Sequence, residues 1–178
     1  MLQYVDYHLP FGSKENKPTK GVIHAMGEWI VIDEGQAKWF RDERDMDIIA
    51  GHYHATEFLK KIRLSPHILV SPSILIRLRE DIEGGWHAKG YNVNTIGVEF
   101  LVPGIWHYED FKNLMQSDED WLTDKQFRMG VDLFNQFIQK WMWPPGSVIT
   151  HQSLSPERKY DPGGGFPLER FQSELVII

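Results

Sequence analysis

The sequence predicts an α/β fold, a single domain with a central mixed β-sheet flanked by helices, and three observations carry that expectation. Short apolar runs of strand length recur along the chain. Segments of helical periodicity lie between them. Proline and glycine mark the junctions. Strands interleaved with helices are the pattern of a sheet covered by helices, with sites in the loops at strand ends. At 178 residues, 42% hydrophobic and 25% charged, the chain has the size of one domain, 1–178, able to bury its own core.

In chain order, GSKENKPTK (12–20) is a polar loop. GVIHAM (21–26) is a short apolar run, expected as a buried strand carrying His24 near its end. HYHATEFLKKIR (52–63) suits a short helix. LSPHILVSPSILIRL (64–78) reads as two strands joined at the Ser71-Pro72-Ser73 turn. EGGWHAKG is a glycine-rich loop, and NTIGVEFLV (94–102) is expected as a central strand. A long helix starts at Thr123, which with Gln126 offers a capping box. Phe127, Val131, Phe134, Ile138 and Trp141 keep to one helical face, and Pro144-Pro145-Gly146 stops the helix. SVIT (147–150) is a further buried strand delivering His151, and a last helix is expected over 167–175.

Composition excludes several chemistries. There are no cysteines, so disulfides, thiolate metal sites and cysteine nucleophiles are ruled out. A net charge of −6 argues against a phosphate-binding face for nucleic acid. The opening MLQYVDYHLPFG lacks the basic region and apolar run of a secretion signal. No run approaches the roughly 18 apolar residues of a membrane span. The expectation is a monomer made in the cytoplasm, without membrane insertion.

His24 and His151 each lie at the end of a short apolar strand, and Asp161 lies ten residues beyond His151, between Tyr160 and Pro162. A catalytic zinc takes three protein ligands and keeps one open position. Two neutral imidazoles and one carboxylate would leave the ion net positive and bring the pKa of its water to about 7. Pro162 favours an extended Asp161. Spacing alone leaves a second reading open, in which DPGGG is a surface turn and the histidines are structural. His8, His52, His54 and His107 stay with that reading.

A resemblance bears on the choice. HQSLSPERKYDPG is similar to the C-terminal signature of the zinc-dependent N-acetylmuramoyl-L-alanine amidases of type 2, whose superfamily includes the peptidoglycan recognition proteins. Four further segments match in order: GVIHAM the first-ligand strand, LSPHILV the Ser-x-His-x-Leu strand, GWHAKG the Trp-His-Ala-Gly loop and TIGVEF the Ile-Gly-Ile-Glu strand. The set covers about residues 20–167. The resemblance implies His24, His151 and Asp161 as Zn²⁺ ligands, Glu99 as the acid/base group and Lys159 as the oxyanion partner. It also implies a groove for peptidoglycan or muropeptides, with Trp86, His87, Arg158, Tyr53 and His67 as substrate contacts.

The chain departs from the family pattern at Ala25, Thr150, Glu157 and the SPSI turn. None of these touches the implied metal or acid/base groups. The implied reaction is hydrolysis between N-acetylmuramic acid and L-alanine of the stem peptide, in a phage endolysin. A cytoplasmic enzyme recycling muropeptides, a non-catalytic peptidoglycan-binding module and a same-fold hydrolase of another amide are the alternatives. The Ala25, Glu157 and SPSI departures favour the endolysin, and the presence of Asp161 argues against the binding module.

Overall fold

A computed structural model describes residues 2–176; the outermost ends of the expected 1–178 domain lie outside it. Strands β1 (Tyr4–Asp6), β2 (Lys20–Ile32), β3 (Gly51–His54), β4 (Ile68–Val70), β5 (Leu75–Arg77), β6 (Thr95–Trp106) and β7 (Val148–Thr150) form one seven-stranded mixed sheet. Its order is β1-β5-β4-β6-β2-β3, and β7 joins β2. The helices are α1 (Glu34–Arg44), α2 (Ala55–Lys61), α3 (Tyr108–Met115), α4 (Asp124–Trp141), α5 (His151–Leu154) and α6 (Leu168–Ser173).

The two long strands sit at the centre. β2 and β6 run parallel, β4 runs parallel to β6 on its far side, and β7 runs parallel to the first residues of β2. The second half of β2 pairs instead with β3, antiparallel. One edge of β2 is therefore shared, with β7 covering Gly21–Ile23 and β3 covering Trp29–Ile32.

Alternation along the strands divides the core. Ile23, Ala25, Val98, Phe100 and Val102 face α4 and α6 and join Phe127, Val131, Phe134 and Phe171 in the larger cluster. Leu69, Ile76 and Leu101 face the other way, against Leu59 of α2 and Leu9. On the α4 face expected from the sequence, Phe127, Val131, Phe134 and Ile138 are buried and Trp141 is partly so, and the Thr123–Gln126 capping box is formed. Gln126 is fully buried, and its amide donates to the carbonyls of Val70 (3.0 Å) and Leu101 (2.8 Å), tying the start of the helix to two strands. Gly130 lets the helix lie close to the sheet, because a Cβ there would meet the Phe100 ring at 2.5 Å. The helix ends at Met142 in a left-handed cap, just before the prolines.

The structure alters several boundaries. β2 extends well beyond GVIHAM to Ile32, passing an irregularity between Gly27 and Trp29, so His24 is inside the strand. Residues 52–63 are not one helix. His52–His54 pair with β2, and the His54 side chain accepts the Thr56 amide to start α2. β1, α1 and α3 have no counterpart in the periodicity reading. For α1 a signal was present, since Asp33 and Gln36 form a second capping box.

Candidate metal and active site

Register assembles the site. Ile23 pairs with Thr150, so the next residues, His24 and His151, emerge side by side where β7 ends. On the other flank His24 pairs with Glu99 of β6. Three adjacent parallel strands thus place Glu99, His24 and His151 in one row. Thr150 caps α5 by accepting the Ser153 amide, which turns the chain sharply at His151. The loop then returns, and the Gln152 amide donates to the Asp161 carbonyl at 2.9 Å, holding Asp161 beside His151. The Asp161–Pro162 peptide bond is cis.

Three ligand atoms converge. His24 Nδ1 and His151 Nδ1 are 2.9 Å apart, His151 Nδ1 and Asp161 Oδ2 3.0 Å, and His24 Nδ1 and Asp161 Oδ2 3.4 Å. Among the described residues this is the one cluster of three His, Asp or Glu side chains whose ligand atoms lie together. His24 and His151 are buried, and the Asp161 side chain is 13% exposed.

Electrostatics suit a cation. Burial dominates at His24 and lowers its pKa to about 4, so the imidazole is neutral with a lone pair to offer. For Asp161 burial works upward, but its contacts with the His151 and His24 imidazoles prevail and hold the carboxyl well below the ordinary range. A neutral imidazole at His24 and an ionised carboxylate at Asp161 are forms that a metal can bind. A tetrahedral zinc site, with bonds of about 2.0–2.2 Å, spaces its donors by about 3.3 Å. The observed triangle is close to that, so the residues fit the ion.

Glu99 lies next to this triangle with a carboxyl that burial pushes up to about 8, the negative charge of Asp161 adding and Lys159 opposing. A divalent cation on the triangle would draw the value down again, toward the range where one group takes and returns a proton near neutrality. Lys159 reaches the site as charge: it acts on both Glu99 and His24. Its amide is held by the Ser155 carbonyl at 2.9 Å.

The expected substrate contacts separate into two groups. Trp86 is 45% exposed, its backbone bridged to Ser65, and its indole is free to meet a ligand. Arg158 is exposed, with a long contact to Ser155 Oγ at 3.4 Å. The other three are engaged within the protein. His67 is fully buried, accepting the Gly97 amide at Nδ1 (3.0 Å) and donating from Nε2 to the Glu83 carbonyl (2.8 Å), so its ring nitrogens are used inside the sheet. The Tyr53 hydroxyl donates to the Ile49 carbonyl (2.9 Å), and its ring joins the cluster of Ile32, Phe40 and Phe58 beneath α1. His87 is half-buried with both ring nitrogens in contact with protein groups, Nδ1 at 2.9 Å from His24 Nε2 and Nε2 at 3.3 Å from Thr95 Oγ1. Burial and the neighbouring histidines keep its pKa well below the usual value.

The sequence reading missed Gly97 and Thr95. A glycine inside an apolar strand signals close approach of another group, and here a Cβ at Gly97 would stand 2.5 Å from the His87 ring.

Comparisons with known proteins bear on the fold and the family. A family model described as N-acetylmuramoyl-L-alanine amidase matches residues 14–164. The N-acetylmuramoyl-L-alanine amidase LysC from Clostridium intestinale URNW superposes with a TM-score of 0.64 at 16% identity, covering 100% of both chains. A selenomethionine AmpD derivative gives a TM-score of 0.65 at 18% identity, over 96% of this chain and 93% of its own. A mutant endolysin from Bacillus subtilis gives 0.63 at 16% identity, over 99% and 100%. Comparison with curated protein sequences gives no match.

Proposed function

The chain belongs to the N-acetylmuramoyl-L-alanine amidase family, and from that activity we propose that it works as one zinc-dependent catalytic domain on polymeric peptidoglycan, as an endolysin does. The observation that carries the metal reading is the triangle of His24 Nδ1, His151 Nδ1 and Asp161 Oδ2, with edges of 2.9–3.4 Å. Zinc held there supplies a Lewis acid that acidifies water and polarises a carbonyl.

The chain's own groups do the rest. Glu99 takes a proton from the attacking water and returns it to the departing amine of L-alanine, a role supported by its raised pKa of about 8. Lys159 places positive charge where the scissile carbonyl oxygen becomes negative. Trp86 offers an exposed indole to sugar or stem peptide, and Arg158 offers a guanidinium to a stem-peptide carboxylate. The choice of polymer over soluble fragments rests on Ala25, Glu157 and the SPSI turn, where the sequence leaves the pattern associated with muropeptide recycling.

One experiment tests both parts. Purified protein is analysed for metal, then given intact sacculi and soluble muropeptides, with and without chelator, and released stem peptides are measured. The expected result is about one zinc per chain and chelator-sensitive release from sacculi. Cleavage by metal-free protein would overturn the zinc reading, and cleavage of fragments alone would overturn the polymer reading.

A further inference from the structure

We propose that His87 is a positioning residue, the middle of a hydrogen-bond chain that sets the tautomer of His24 and so aims its Nδ1 lone pair into the metal site. The inference rests on the zinc reading above and deepens it, because it concerns what holds a ligand rather than which ligands there are.

The chain can be followed from its far end. The Tyr91 carbonyl can only accept, and Thr95 Oγ1 donates to it at 2.7 Å. With its one proton used there, Thr95 Oγ1 must accept from its other neighbour, His87 Nε2, at 3.3 Å. His87 therefore carries its proton on Nε2, and its Nδ1 is bare. That Nδ1 lies 2.9 Å from His24 Nε2, so the proton between them belongs to His24 Nε2. The remaining nitrogen, His24 Nδ1, is left with a free lone pair, and it is this atom that faces His151 Nδ1 and Asp161 Oδ2. Each step follows from which atoms have protons to give.

The surroundings are built to keep His87 in place. Its ring sits over Gly97, where a Cβ would approach to 2.5 Å, so only glycine leaves the space. Gly97 is two residues before Glu99 on the same strand, and it pairs with Val22, two residues before His24. The loop is clamped from below by Asn92, whose Oδ1 accepts the amides of His87 (3.0 Å) and Ala88 (2.9 Å). The His24 and His87 rings meet edge to face, with centroids 5.1 Å apart and planes at 88°. A histidine so held cannot turn to a substrate without giving up these contacts. Metal-bound histidines commonly donate their second ring N–H to such an outer partner, whose loss weakens metal affinity about 10–100-fold.

The test has two arms. Long-range proton–nitrogen spectra of metal-free wild-type protein with ¹⁵N-labelled histidine report the tautomers directly; His24 and His87 are both expected in the Nε2–H form. His24 in the Nδ1–H form would overturn the proposal. In the second arm, zinc affinity is measured by competition with a chelating indicator for wild type, His87→Phe and His87→Gln. Phenylalanine keeps the ring but removes the acceptor, and zinc should bind about 10–100-fold more weakly; glutamine restores an acceptor and should recover part of the loss. A folded His87→Phe protein with wild-type zinc affinity would refute the role. Should that variant not fold, the wild-type spectra decide. Wild-type protein that takes up no zinc would refute the metal reading itself, and the tautomer order would still be judged from the spectra.

Discussion

Replacing Glu99 with glutamine should make the metal-free protein more stable, and the gain should depend on pH in a defined way. The Glu99 carboxyl has an ordinary value of 4.5 and is pushed up to about 8 in the fold, by burial first and by the charge of Asp161 second. Below pH 4.5 the group is protonated whether the chain is folded or not, so it favours neither state. Between the two values the unfolded chain has released a proton that the native state still holds. Unfolding then releases that proton, and stability falls as pH rises. Each pH unit inside this window costs the native state about 1.4 kcal/mol, for a full penalty near 3 kcal/mol at pH 7. The carboxyl retains some contact with solvent, so a gain of about 2–3 kcal/mol is the expected size for Glu99→Gln at pH 7. Urea unfolding of chelator-treated wild type and variant, from pH 4.5 to 8, reads it. The difference should be close to zero at the acid end and widen steadily toward pH 8. A difference that stays flat across the range would mean that Glu99 is an ordinary ionised carboxylate in the native protein, and the acid/base assignment would lose its physical basis.

Lys159→Ala should keep both fold and zinc while losing about 10²–10³-fold in kcat, the usual cost of one oxyanion partner. His24→Ala should lose metal and stem-peptide release together; metal analysis beside the release assay separates the two, and a Lys159→Ala enzyme at wild-type rate would remove that residue from the mechanism. Phe171 is fully buried among Phe100, Phe127, Phe134 and Phe166. Its replacement by alanine should cost about 3–5 kcal/mol in urea unfolding, and a loss below about 1 kcal/mol would show that α6 does not anchor the larger core.

The local elements were legible where a local signal was strong. The α4 face, its Thr123–Gln126 cap, the central β6 and the β4–β5 turn at Ser71–Ser73 all follow from periodicity and capping within a few residues. His24, His151, Asp161, Glu99 and Lys159 were legible as candidates because their segments resemble a known family in the right order. The sequence alone also excluded every cysteine-based chemistry. What it did not contain was the pairing of strands far apart in the chain. Residues 24 and 151 become neighbours because Ile23 pairs with Thr150, and Glu99 joins them because it pairs with His24. Such registers depend on which faces the whole sheet buries, and no short window carries that information. For the same reason His67 and Tyr53 were expected in the groove and lie instead in the interior and beneath α1. Motif position says which loop a side chain occupies, and only the packed fold decides which way it turns. Gly97 is the clearest case. In the sequence it is a weak residue in a strong strand, and in the structure it is the space in which His87 stands beside His24.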